Sequence, residues 1–561
     1  MSKKKALKRT GIILISITLF LFIAWQLLKE LKIEAFVVNS IHTELNHYFE
    51  DSVHFQIEDM RFRILAKKIN LESVKINIIN DKKDTLASLE LPNLNLSWNK
   101  YSETFNNQFF KFNTLELKKA KLLLPFDFDK INRTKASRPS FEGRFELEIT
   151  ELIVEGGEIL FYDEQNSKSG RVKTEYNLFA QALKFKKGEI PEQFQDVAKD
   201  IFLEFHNMSY YLQDKLHKVE IKKLAFNLFK QDITINAAHF RPIYSPEKFA
   251  ELKGDQANHI DIYLDSIRLN SMKWQGDSMF SAKTIFTNNI KLKVTKDKNY
   301  PLPDDRFVPI LIEVLKDSKI SIDVRKCIVE NMNLSYFEIP SGSQKTGSVS
   351  ITNIEGEISN ITNRTDSIER YGKELVIKAN GNLYDQGKLT ADIRYDLNSS
   401  YGYFKVAGSL EPMSISAINQ YIAKSTPVEI ATGKVDELYF TYSGGNQAVL
   451  GEMQLKYSDL KIEFNKILND EEKGDKALSW LANVALSQEN PRKNGKFRVG
   501  RIQFSRDTRK SMFSYWSNSL VSGFQSTIGM DKPARIEKLE QEEDDGSIWQ
   551  KIGFGKEDES E

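Results

Sequence analysis

The sequence predicts a mainly β protein: a long sheet with one apolar face, interrupted by short helices and preceded by one N-terminal membrane-spanning helix. Three observations predict it. Residues Gly11 to Leu28 carry no charge and follow the basic cluster Lys3, Lys4, Lys5, Lys8 and Arg9. From about Val53 to Ile462, runs of four to seven residues alternate apolar and polar side chains, the periodicity of strands. Gly and Pro number only 28 and 14 in 561 residues, below the roughly 12% of average chains, so tight turns are sparse relative to strand.

As a helix, Gly11 to Leu28 reaches roughly 27 Å, about one hydrocarbon core. Twelve of its residues are Ile, Leu or Phe, each worth about −0.3 to −0.6 kcal/mol on insertion, which outweighs Gln26 and the small polar residues. Ile12, Leu14, Leu19, Phe22 and Trp25 are its bilayer-facing candidates. The positive-inside bias puts Met1 in the cytoplasm and everything after Lys29 on the far side. A cleaved signal peptide is the alternative, but WQLLKELKIEAFV has no small-x-small site, which favours an uncleaved anchor. No second stretch has the length to span, so a single-pass protein with a large exported part is expected. The lone Cys327 excludes an intramolecular disulfide. A net charge of +1 offers no field for nucleic acid.

The exported part reads as strand after strand. Leu89, Leu91, Leu94, Leu96 and Trp98 alternate, with a parity slip at Pro92-Asn93; Phe110, Phe112, Leu115 and Leu117 follow. Phe145, Leu147, Ile149, Leu152 and Val154 repeat the rhythm, as do Ile260, Ile262, Leu264, Ile267 and Leu269. So do Ile290, Leu292 and Val294, and then Ile320, Ile322 and Val324. Each run places its apolar side chains on one face of a pleated sheet. That face could be sealed inside β-sandwiches or left open as a trough, and alternation alone leaves both readings standing. If it is a trough, Leu89, Leu91, Leu94, Leu96, Phe145, Leu147, Ile149, Ile260, Ile262, Leu264, Ile290, Leu292, Ile320 and Ile322 line it.

Helices are expected over Phe36 to Phe49, Pro191 to Asp200, Asp305 to Lys316, Ser414 to Ala423, Lys476 to Ser487 and Ser511 to Ile528. In the last of these, Phe513, Trp516 and Phe524 either cap the sheet edge or contact a membrane or partner. From Glu537 the chain is an acidic tail, expected to be disordered. Four regions follow: a basic start and anchor over 1–30, the β part over 31–410, a C-terminal region with amphipathic helices over 411–530, and the tail over 531–561.

No constellation for catalysis stands out. The seven histidines are scattered, with no metal-ligand spacing, and there is no phosphate loop or nucleophile elbow. We therefore expect no enzyme, no metal and no cofactor. Cys327 reads as a small buried apolar residue. Asn132, Asn207, Asn333, Asn360, Asn363 and Asn398 begin N-x-S/T triplets, as chance predicts in so Asn-rich a chain.

The order of these segments resembles the AsmA-like superfamily of Gram-negative envelope proteins, most closely its large members from Bacteroidota. The similarity runs through the anchor and LNHYFEDS, through DKNYPLPDDRFVPILIEVLKDSKISIDVRKCIVENMNLSYFEI, and through GSLEPMSISAINQYIAKSTPVEIATGKVDELYFTYSGGN to FSRDTRKSMFSYWSNSLVSGFQSTIG. It covers most of residues 1 to 530. It implies a long, twisted, U-shaped β-sheet groove in the periplasm, anchored in the inner membrane, whose apolar concave face holds phospholipid. The implied role is phospholipid transport between inner and outer membranes and outer-membrane homeostasis. The alternative is a scaffold assisting outer-membrane protein assembly, with the outer membrane or a protein there as partner. The family has no catalytic signature to carry over.

Overall fold

A computed structural model describes residues 53–529 apart from 64–65, 80–84, 100–104, 107–108, 126–145, 163–171, 187–197, 275–278, 426–427 and 465–486. The expected anchor, the helix over 36–49, all but the last residue of that over 476–487, and the acidic tail lie outside the described residues. Among the described residues no helix is long and apolar enough to cross a membrane. They are mainly β, 64% strand and 13% helix, so strand pairing decides the architecture: a large mixed sheet. The chain divides into two compact units, Met1–His239 and Phe240–Glu561.

The first unit opens with β1 (Val53–Gln56), β2 (Asp59–Arg63), β3 (Lys68–Ile79) and β4 (Thr85–Ser97). Then come β5 (Phe105–Asn106), β6 (Phe109–Lys118), β7 (Lys121–Pro125) and β8 (Glu146–Tyr162). It continues through β9 (Val172–Lys186), β10 (Asp200–Tyr211) and β11 (His217–Asn227), and β12 (Asp232–Pro242) carries the division. β6 and β7 lie in line, antiparallel to β4 on one side and parallel to β8 on the other. Ile69, Leu71, Val74, Ile76, Leu91, Leu94, Leu96, Trp98, Ile149 and Leu152 form one buried core. Fully burying a side chain of this size is worth about 1.5–3 kcal/mol.

That core contains the parity slip. Leu91 and Leu94 are three residues apart, which in a regular strand puts them on opposite faces, yet both are buried in the same cluster. Their partners Val74 and Leu71 do the same on β3, with Ser73 between them at φ 53. One left-handed residue resets the alternation, so both arms of the strand keep their apolar side chains on one face.

The second unit contains β13 (Asn258–Asn270), β14 (Lys273–Trp274), β15 (Met279–Asp297), β16 (Ser321–Ile339) and β17 (Gly347–Thr362). Beyond them run β18 (Glu374–Leu383), β19 (Gly387–Asp396), β20 (Phe404–Leu410), β21 (Met413–Ser414), β22 (Val428–Gly444), β23 (Ala448–Phe464) and β24 (Gly500–Ser505). Among the described residues its α-helices are α1 (Pro246–Lys253), α2 (Leu311–Lys316), α3 (Thr365–Tyr371), α4 (Asn419–Ser425) and α5 (Met512–Ile528). The pairings from β13 to β24 among the described residues are antiparallel except β15 with β16, which run parallel. A parallel pair requires a crossover, here residues 298–320 with α2 inside them. A core of Tyr395, Phe404, Phe440, Val449, Leu455, Tyr457 and Ile502 fills this unit's later strands.

Helix ends follow local chemistry. The Ser245 hydroxyl accepts from Lys248 N, Pro246 stands at the first turn, and Gly254 closes α1 at φ 67. Ser511 caps α5 and Gly529 ends it at φ 96. A side chain at Gly500 would collide with the carbonyl of Gly523, so a glycine lets α5 lie directly on β24. The expected helix over 305–316 shortens to α2, because Pro309 disfavours helix at Val308. That over 414–423 is a 3-10 turn (Ile415–Ile418) followed by α4. Asp200, placed at a helix end from sequence, begins β10.

Candidate functional site

The site is built from register. On β13, Ile260, Ile262 and Leu264 alternate, and across the ladder they stand opposite Val294, Leu292 and Ile290 of β15. Parallel pairing then sets Val294, Leu292 and Ile290 beside Tyr336, Leu334 and Met332 of β16. On β17, Val349 and Ile351 continue the first two rows. Cross-strand neighbours on one face lie about 4.5–5.5 Å apart, so these side chains form a continuous apolar patch. Ile260, Ile262, Leu264, Ile290, Leu292, Val294, Met332 and Leu334 are all half-buried, and none enters either core cluster. The patch differs in this from the sealed faces of β3 and β4.

A row of polar residues crosses the patch where the parity slips. Asn289, Asn331 and Asn353 have φ 53, 51 and 49 on three successive strands, a conformation Asn tolerates better than most residues. The Asn289 side-chain amide donates to the Asp265 carboxylate. The Asn353 backbone N–H donates to Asn333 Oδ1 at 3.1 Å. Beyond the row, Ile267, Leu269, Ile285, Cys327, Val329 and Ile358 resume the apolar alternation.

At its other end the patch meets charge. Lys296 follows Ile290, Leu292 and Val294 at the same parity, and Glu338 stands beside it on β16. Glu338 is 3% exposed. Its carboxylate accepts from Lys298 Nζ at 2.7 Å, Tyr336 OH at 2.7 Å and Tyr421 OH at 2.8 Å. The Phe513 ring lies 5.7 Å from that of Tyr336. Burial, with Glu338 adding to it, raises both tyrosine hydroxyls far above their ordinary range. Lys296 is 9% exposed, and its ammonium has no hydrogen bond or ion pair among the described residues. Burial first, then Arg306 and Lys298, with Lys510 adding less, push it down to about 8 against the opposing charge of Glu338.

The residues singled out from sequence divide between settings. Leu91, Leu94, Leu96 and Ile149 are buried in the first unit's core, and Leu89 packs against it. Leu147 lies in β8, and Phe145 falls outside the described residues. Ile260, Ile262, Leu264, Ile290 and Leu292 come together on the half-open patch. Ile322 packs against the second core, while Ile320 sits in the bend before β16, where its carbonyl accepts from Asn363 Nδ2 at 3.0 Å. Trp516 and Phe524 pack against the second core from α5. Ile12, Leu14, Leu19, Phe22 and Trp25 fall outside the described residues. Among those residues no group of three or more His, Cys, Asp or Glu could hold a metal.

Sequence reading missed Lys296, Glu338 and Tyr336. The signal was there in IKLKVTKDK, where Lys296 continues the apolar parity of Ile290, Leu292 and Val294. Comparison of the chain with protein-family models and with curated proteins finds no match.

Proposed function

We propose that this chain is a lipid-binding groove protein of the AsmA-like type. It is anchored in the inner membrane by residues 11–28, with its bulk in the periplasm, and contributes to phospholipid transport between the two membranes and to outer-membrane homeostasis. In this reading the sheet works as an open, U-shaped trough. The observation that carries it is the half-exposed apolar patch of β13, β15 and β16, whose side chains belong to neither core. Exposing a sixteen-carbon acyl chain to water costs roughly 12 kcal/mol at about 0.8 kcal/mol per methylene. A trough of Ile, Leu and Val offsets most of that while the headgroup stays in solvent.

Photocrosslinking amino acids at Ile262, Leu292 and Leu334 in the full chain, in its native membrane, test the reading. Expected are adducts with phospholipid at all three positions and only protein adducts at buried Leu91. Protein adducts alone at the three patch positions overturn it.

A further inference from the structure

Along β15, Ile290, Leu292, Val294 and Lys296 share a face over roughly 20 Å at about 3.3 Å per residue. The apolar part ends at a cluster of cations. Of these, Lys298 is neutralised by Glu338 at 2.7 Å and Lys510 by Asp507 at 3.1 Å. Arg509 pairs with Asp507 at 3.0 Å and Asp304 at 2.9 Å. Two cations are left over. Arg306 donates from Nη1 to the Gln256 carbonyl at 2.9 Å and has no carboxylate partner among the described residues. Lys296 makes no hydrogen bond or close ion pair among the described residues, and the carboxylate nearest it in register, Glu338, is held by Lys298 and two tyrosine hydroxyls.

Lys296 is nine-tenths buried as a residue. Its ammonium feels Arg306, Lys298 and Lys510 against the one carboxylate of Glu338, which is already engaged by Lys298 and the two tyrosine hydroxyls. An anion brought to the same place relieves that excess of positive charge. Residues 298–310 are held over this end by Val308 N donating to Thr508 O at 2.8 Å and by the Arg506 guanidinium donating to the Val308 carbonyl. Arg306 is therefore carried by a tethered segment. The anion must be compatible with a long apolar strip that begins one residue pair away, at Val294.

We propose that Lys296 and Arg306 form a headgroup site for the phosphate of an anionic phospholipid, with an acyl chain lying along Val294, Leu292 and Ile290. The site rests on the lipid-groove reading and adds to it a headgroup preference and a direction, with the polar end at the close of β15. Lys296 supplies a point charge and Arg306 a planar guanidinium, a combination suited to phosphate oxygens.

The test uses the full chain, purified in detergent and delipidated, with two acyl-fluorescent probes of identical chains: phosphatidic acid and diacylglycerol. Phosphatidic acid is expected to bind about tenfold tighter. The ratio should fall several-fold in Lys296→Met and in Arg306→Gln, and reach one in the double variant. Should Lys296→Met fail to fold, Arg306→Gln at its half-exposed position carries the test. Equal affinity in the unaltered chain, or a preference that survives the double variant, overturns the headgroup site while leaving the groove. Binding of neither probe overturns both. Inorganic phosphate binding as tightly as phosphatidic acid would assign the cations to free phosphate and overturn the lipid assignment.

Discussion

Asn289 and Asn331 lie side by side on the parallel strands β15 and β16, between the register pairs Asn288–Glu330 and Ile290–Met332, with φ 53 and 51. Strands of 19 residues exceed the usual 3–10, and this shared left-handed step divides them into shorter arms. The Asn331 backbone N–H donates to Glu355 Oε1 at 3.1 Å, tying the step to β17. Asn331→Val is expected to lower stability by about 1–2 kcal/mol, because a β-branched residue resists this conformation. Asn331→Gly, free of that restriction, should stay within about 0.5 kcal/mol. Urea midpoints decide it, and equal midpoints for the two variants would remove the conformational account of the row.

The slip at Pro92-Asn93 was legible in the sequence, whereas that between Leu264 and Ile267 passes there as unbroken alternation and comes out only with the register. The mainly β character with its large sheet was legible too. Which apolar runs are sealed was not, since Leu91 and Leu292 sit in the same local pattern and differ only in what distant strands bring against them. Ser245, Pro246, Glu247 and Gly254 carried the cap signals of α1, but its eight residues give too little apolar periodicity to reveal a helix. Lys296 was hidden by its type: a lysine ending an alternating run reads as solvated until register places it beside buried Glu338.

Lys296 makes stability depend on pH in a direction opposite to most paired lysines. Its ammonium loses its proton near 8 when folded, against 10.5 ordinarily. Between these values the unfolded chain holds a proton that the folded one has released, so this group's contribution rises with pH through that window and is least favourable below pH 8. In ligand-free protein, Lys296→Met should be more stable than the unaltered chain at pH 7, with the difference shrinking by pH 10. Urea midpoints at the two pH values check it; a constant difference would mean the ammonium is solvated.

Glu338 holds the charged end together. Glu338→Gln leaves Lys298 without its carboxylate and removes the negative charge beside Lys296, and is expected to cost about 3 kcal/mol. Tyr421→Phe removes a single hydroxyl donor and should cost about 1–2 kcal/mol. Thermal or urea unfolding gives the order, which reverses if Glu338 is dispensable.

Cys327 is half-buried on the patch side of β16, opposite Ile285 and Ile358. Burial raises its thiol above the ordinary 9.0, so little thiolate exists at neutral pH and the alkylation rate should keep climbing past pH 9. As the chain's one cysteine, it reports on the patch without other labelling. Loading delipidated protein with phospholipid should slow maleimide modification several-fold at fixed pH. An unchanged rate would place the lipid elsewhere.

Paired alanine substitutions separate a core from a groove. Leu91 is 1% exposed within the first core, and Leu91→Ala should cost about 2–5 kcal/mol through lost burial and the cavity left behind. Leu292 lies half-open, outside both clusters, so Leu292→Ala removes side-chain surface that water already reaches and should cost about 1 kcal/mol or less. Its larger effect falls on bound lipid, measured by native mass spectrometry of the extracted chain, which should drop for Leu292→Ala. A surface that contributes little to folding and much to binding has its apolar character explained by the ligand. If Leu292→Ala destabilises as severely as Leu91→Ala, the patch is packed against something in solution, and its alternation serves folding alone.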